Sequence, residues 1–276
     1  MTYATVMVSL ALGRENGPRL EIAGQLAEQF GARAIGIAAG QFTPPLYFTT
    51  GEQAQRLLDQ GEAAIKNRLA EVEAQFRAAM QNRAAAVEWR CAEDFPARFI
   101  ARQARAADIL VVGGDGGDLI ADPLMQAGPS DLVMQAGRPL LVVADACDRL
   151  DLRRVVIGWK DTPEARRAVV DALPLLRKAK DIKVVEIIED DVDRPAALSE
   201  VTDVVAWLSR HGIVASAQVA PECGYAAAQL DAIASELGAG LVVAGAYGHS
   251  RLGEWIFGGV TRRLVNPSNR CSLLSR

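Results

Sequence analysis

Leu241-Val242-Val243-Ala244-Gly245-Ala246-Tyr247-Gly248, followed after nine residues by Gly258-Gly259-Val260-Thr261, is the stretch from which the fold can be read. Its apolar start reads as a parallel strand buried on both faces. Glycines directly after such a strand let the backbone approach an anion, and the free N–H groups of the next helix point towards it. Strand, glycine turn and helix start together make a phosphate-binding shape, and they suggest a nucleotide.

The pattern occurs twice. Ala106-Ala107-Asp108-Ile109-Leu110-Val111-Val112-Gly113-Gly114 parallels Leu237-Gly238-Ala239-Gly240-Leu241-Val242-Val243-Ala244-Gly245. Gly137 to Val143 parallels Asn269 to Leu274, each closing its half with a short apolar strand. Thr5 to Leu10 and Arg154 to Trp159 are matching apolar openings. The helical patterns that follow them carry Leu20, Ile22, Ala23, Leu26 and Ala27, then Ala168, Val169, Ala172, Leu173 and Leu176. Further apolar strands come next, Ala34 to Ala38 and Lys183 to Ile188. Strands alternating with helices imply parallel βαβ units with right-handed crossovers. We expect two copies of one unit, residues 1–147 and 148–276, joined by the short charged stretch Cys147 to Asp151. So short a joint suggests that the copies pack on each other. The first copy carries an addition, Gln41 to Gly51 and then a helical pattern from about Glu52 to Met80. That pattern reads as a crossover helix with a solvated face rather than a coiled-coil arm.

Composition narrows the function. Half of the 276 residues are hydrophobic and 23% are charged, which predicts a packed globular core. A net charge of −4 argues against a surface-wide nucleic-acid footprint. The opening apolar run Ala4 to Leu12 is too short to span a bilayer and reads as the first strand, so neither a membrane nor an export signal is expected. Cys91, Cys147, Cys223 and Cys271 lie far apart along the chain and, with only His211 and His249 to join them, predict no zinc site and a reduced, cytoplasmic setting.

Gly245-x2-Gly248-x9-Gly258 after a strand ending in Val243-Ala244 resembles the nucleotide-loop signature of the universal stress protein family, and the tandem arrangement resembles its two-domain members. Trp159-Lys160-Asp161-Thr162 and Val260-Thr261-Arg262-Arg263-Leu264 support the likeness. The resemblance implies two tandem doubly wound parallel five-stranded sheets of the adenine nucleotide alpha hydrolase-like kind, related by a pseudo-twofold axis. It also implies that Leu140 to Val143 and Ser272 to Leu274 pair between the halves, in a monomer with pseudo-dimeric halves or a homodimer. Carried over residue by residue, Ala244, Gly245, Gly248, Gly258, Gly259 and Val260 would hold phosphates and ribose, with Thr261 close by. Adenine would lie near Ile187 or Ile188 and the turn at Gly158 and Lys160. The implied ligand is ATP or a related adenine nucleotide, with Mg²⁺ a candidate companion, in a stress-response protein whose occupancy switches its conformation or its binding to a regulatory partner.

Two departures stand in the second half. Gly259 replaces the usual hydroxyl residue, and Lys160 stands where aspartate is common, either to pair with a phosphate or to take over a nucleoside contact. The first half departs further: Asp115 and Asp118 would repel phosphate, Pro129 lacks an N–H, and Ser9-Leu10 has neither the usual glycine nor aspartate, so its site reads as degenerate.

Competing chemistry is weaker. Gly248-His249-Ser250-Arg251-Leu252 lacks the last glycine of a hydrolase nucleophile elbow, and no G-x-x-x-x-G-K-[ST] stretch is present. Glu189, Asp190, Asp191 and Asp193 are a candidate Mg²⁺ cluster but read better as a solvated loop. No general base or arginine finger can be assigned, so no catalytic residue is named. The alternatives are an interaction protein of the same fold that binds no nucleotide, and a slow ATPase.

Overall fold

The computed structural model describes residues 2–43, 51–114, 122–189, 191–246, 263–267 and 269–276. The chain runs β1 (Thr5–Ser9), α1 (Gly17–Phe30), β2 (Arg33–Ala39), α2 (Gly51–Met80), β3 (Val87–Ala92), α3 (Pro96–Gln103), β4 (Ile109–Gly113), α4 (Pro129–Gln135) and β5 (Leu140–Val143). The second half repeats the order with β6 (Arg154–Trp159), α5 (Pro163–Leu176), β7 (Asp181–Ile188), α6 (Arg194–Arg210), β8 (Ser216–Pro221), α7 (Ala226–Glu236), β9 (Leu241–Gly245) and β10 (Cys271–Ser275).

The strands form one sheet in the order β3-β2-β1-β4-β5-β10-β9-β6-β7-β8. Every pairing inside a half is parallel, for example Val8 with Val111 and Ile157 with Val243. The join between halves is antiparallel, with Ser272 opposite Val142, Leu273 opposite Leu141 and Leu274 opposite Leu140. The two five-stranded units are therefore halves of a continuous ten-stranded sheet, and the expected pairing of the terminal strands is present. Mutual pairing uses up the inner edge of each half, which unpaired would be a template for another chain.

Because successive strand residues point to opposite faces, each strand feeds two cores. Val6, Val8, Ile157 and Val243 pack with α1, α2, α5 and α6 on one face. Met7, Leu110, Val156 and Val242 pack with α3, α4 and α7 on the other. α1 and α5 also tie the halves together. The Tyr3 hydroxyl donates to the Asp171 carbonyl at 2.7 Å, the Lys178 Nζ sits 5.2 Å from the Phe30 ring centre, and the Leu150 N–H donates to Gln25 Oε1 at 2.9 Å.

α2 carries the chain from β2 to β3, as a crossover helix should. It buries Gly61, Ile65, Leu69, Val72, Phe76 and Met80, a stripe at three- and four-residue spacing, and leaves its charged side to solvent. Phe76 reaches the sheet because Gly36 lies beneath it; a Cβ there would come within 2.5 Å of the ring. Among the described residues no helix is long and apolar enough to cross a membrane.

Candidate functional site

The chain passes from β6 to β7 over one face and from β8 to β9 over the other. Strand order consequently reverses between β6 and β9, and the carboxyl ends of two neighbouring strands open a crevice where doubly wound sheets bind ligands. Gly158 and Ala244 are paired across that reversal, and Gly245 ends β9 beside them. A Cβ on Gly245 would lie 2.5 Å from the Ala165 nitrogen and 2.7 Å from the Glu164 carbonyl carbon. The strand end thus touches the first turn of α5 backbone to backbone, which requires glycine. Gly158 has a packing reason of its own: a Cβ there would meet Leu230 at 2.7 Å.

Lys160 projects into solvent just past β6, and Thr162 caps α5 by accepting from the Ala165 N–H at 3.3 Å. Asp161 is held by Arg166, whose Nη2 donates to Oδ1 at 2.6 Å. The crevice therefore gathers a capped helix N-terminus, with the positive end of its dipole, and an exposed lysine. Ile187 and Ile188 end β7, the next strand over. They point to opposite faces, so a base above this edge meets one of them; Ile187 is half-buried on the α7 face with Val185 and Leu230. Of the residues named from sequence, Gly158, Lys160, Ala244 and Gly245 come together at the reversal and Ile187 and Ile188 flank it. Gly248, Gly258, Gly259, Val260 and Thr261 lie outside the described residues, as do His249, Ser250, Asp115 and Asp118.

Sequence reasoning missed Glu186. It sits opposite Trp159 across β6 and β7, buried to 9% exposure, with Oε2 lacking a hydrogen-bond partner among the described residues. Trp159 Nε1 and Glu164 Oε2 are buried and unpartnered in the same way. Burial pushes the Glu186 carboxyl up to about 7, with Glu200 and Asp161 adding to the rise and Lys160 opposing it. Buried polar atoms are nearly always satisfied, so three orphans near one strand edge mark it as chemically unfinished. A glutamate within a run of apolar strand residues, Val184-Val185-Glu186-Ile187-Ile188, was the available signal.

The first half is closed at the corresponding place. Arg19, 7% exposed, donates from Nη1 to the Ser9 carbonyl at 3.3 Å, and its Nη2 would lie 2.1 Å from a Cβ on Gly113. Burial lowers its pKa to about 10, so it stays charged at neutral pH. The turn amides are committed within the fold: Ala11 N–H to Asn16 Oδ1 at 3.0 Å, Leu12 N–H to Met125 O at 2.9 Å and Gly114 N–H to Val143 O at 3.3 Å. Glu189 and Asp193 are exposed, and no cluster that could hold a metal occurs among the described residues.

No protein-family model matches the chain, and no curated protein matches it. Solved structures do. A universal stress protein from Archaeoglobus fulgidus superposes over 98% of this chain and 96% of its own with a TM-score of 0.73 at 15% identity. A functionally unknown protein from Pseudomonas aeruginosa superposes over 99% of this chain and 92% of its own with a TM-score of 0.60 at 12% identity. A universal stress protein in complex with cAMP aligns to 52% of this chain and 98% of its own, at 26% identity and a TM-score of 0.36. Over both of its halves the chain shares the fold of a universal stress protein.

Proposed function

We propose that the chain is a tandem universal stress protein, with domains 1–147 and 148–276, that binds ATP or a related adenine nucleotide in the second. The observation that carries this reading is the asymmetry between the two strand reversals. In the second half β9 ends in Gly245 against the α5 N-terminus, Gly158 lies beside it near the end of β6, and Lys160 is exposed just beyond; in the first half Arg19 and internally paired amides occupy the equivalent place. Phosphates would lie over Gly245 and the Gly248 to Thr261 segment, adenine towards Ile187 or Ile188, and Mg²⁺ would accompany a triphosphate. Occupancy would switch conformation or partner binding. No residue at this edge is placed as a general base, and turnover is not part of the proposal.

Gly248→Val tests it. A branched Cβ blocks close backbone approach, so ATP binding by titration calorimetry should vanish while the thermal midpoint stays near that of the parent. Unchanged affinity removes the loop from the site. The second reading, an interaction protein without nucleotide, is favoured by Gly259 standing in place of a hydroxyl donor; it predicts no binding in the parent protein either.

A further inference from the structure

Two of the four cysteines, far apart in the sequence, are neighbours in the fold. Cys147 lies on the connector that leaves β5, and Cys271 opens β10, the strand paired antiparallel with β5. A turn closed by the Cys147 N–H donating to the Ala144 carbonyl at 2.9 Å folds the connector back over the start of β10. The two side chains meet there. Both side chains belong to the same buried core cluster, and each influences the other's titration. They are free thiols, not a disulfide.

Their surroundings differ in a way that gives each a role. Cys147 lines a pocket of about 300 Å³ together with Asn269, Arg270, Ser235 and Asp151, while Cys271 is fully buried behind it. Arg270 is 5% exposed and anchored by Asp231 Oδ1 and Ser235 Oγ, both at 2.6 Å, yet its buried Nε has no partner among the described residues. A buried cation with a spare donor beside a thiol is the environment that makes a cysteine nucleophilic. The neighbouring Cys271 lowers the Cys147 pKa against burial, with the Asp148 charge opposing and the Arg270 charge assisting; the neighbouring Cys147 and burial hold the Cys271 thiol well above its ordinary value. The exposed Cys91 and Cys223 have no such arrangement.

We propose that Cys147 and Cys271 are a redox modification site, in which Cys147 attacks a small hydroperoxide entering the pocket and Cys271 resolves the product to a disulfide. In the first step the Cys147 thiolate attacks one peroxide oxygen and the O–O bond breaks. The leaving oxygen takes a proton and departs as water or an alcohol, and Cys147 becomes a sulfenic acid. In the second step the Cys271 sulfur attacks the Cys147 sulfur, the S–O bond breaks, and the hydroxyl leaves as water with the Cys271 proton. Two electrons pass from the sulfur pair to the peroxide. The disulfide ties the connector between the halves to the strand that joins them, so oxidation would report at the inter-half seam. The inference is independent of nucleotide binding.

The test uses the full chain carrying Cys91→Ser and Cys223→Ser, exposed to hydrogen peroxide, alkylated and digested without reductant for peptide mass spectrometry. The expected result is a peptide pair linked through Cys147 and Cys271 that dithiothreitol separates. Adding Cys271→Ser should abolish the link and leave a dimedone-trappable sulfenic acid at Cys147. Adding Cys147→Ser should leave Cys271 unmodified at the same dose. The same chain unfolded in urea should lose the link, since the shared geometry is gone. Two results would overturn the proposal: both thiols still alkylated after a dose that oxidises a free cysteine standard, or Cys147 passing to sulfinic acid equally with and without Cys271. Circular dichroism of each variant shows that the readout comes from folded protein.

Discussion

Glu186→Gln is the substitution whose consequence can be worked out most fully. Glu186 is buried opposite Trp159, faces Glu200 on α6, and faces Asp161 and Lys160 in the turn before α5. Its carboxyl rises from the ordinary 4.5 to about 7, first through burial. The sign follows from linkage. Between these values the unfolded chain has released the proton and the folded chain keeps it, so stability falls as pH rises from 4.5 to about 7, and the loss is complete above that. At roughly 1.4 kcal/mol for each pH unit, the span comes to about 3 kcal/mol. Glutamine keeps the shape and cannot ionise. Urea unfolding of both proteins across this range should show the variant gaining on the parent as pH rises, by up to about 3 kcal/mol at about pH 8, with no gain at about pH 4. A difference that does not change with pH would refute the argument, because it would mean that Glu186 is solvated in the folded chain.

Three further outcomes follow from named contacts. Phe76→Ala removes a fully buried ring wedged between α2 and Gly36 and should cost about 3–5 kcal/mol by urea unfolding. Asp231→Ala strips the carboxylate from buried Arg270 and should cost about 3–5 kcal/mol, whereas an exposed pair such as Arg56 with Glu52 should cost less than about 1 kcal/mol on the same assay. If phosphates engage Lys160, Glu186 loses its neighbouring cation and gains a nearby anion, so its pKa climbs further. ATP binding near neutral pH should then take up protons, seen as a buffer-dependent heat in calorimetry that disappears in Glu186→Gln.

Much of the architecture was legible because it is written in local pattern. Ile109 to Val112 and Leu241 to Val243 are continuous apolar runs between turn residues, and the helices of both halves bury the residues their spacing picks out. Duplication then supplied topology, since two like units with matching last strands can share one sheet through β5 and β10. What stayed hidden depends on register and distant contact. Nothing local says that Glu186 will face Trp159, that Arg19 will reach the end of β4, or that Cys147 and Cys271 will touch after the whole second half has folded between them. Cysteine spacing reads disulfides and metal sites in short motifs; it cannot see a pair brought together by a sheet. At the candidate site, glycine positions at strand ends were readable from their place in the repeat, while the orphaned polar atoms of Trp159, Glu164 and Glu186 emerged only from packing.

The central claim is that one half binds an adenine nucleotide and the other does not. Titration calorimetry of the freshly purified chain with ATP, after heat-released small molecules have been identified by mass spectrometry, tests it directly. The account predicts saturable binding at one site per chain, lost in Gly248→Val. Two sites per chain, or no released nucleotide and no binding at all, would contradict it.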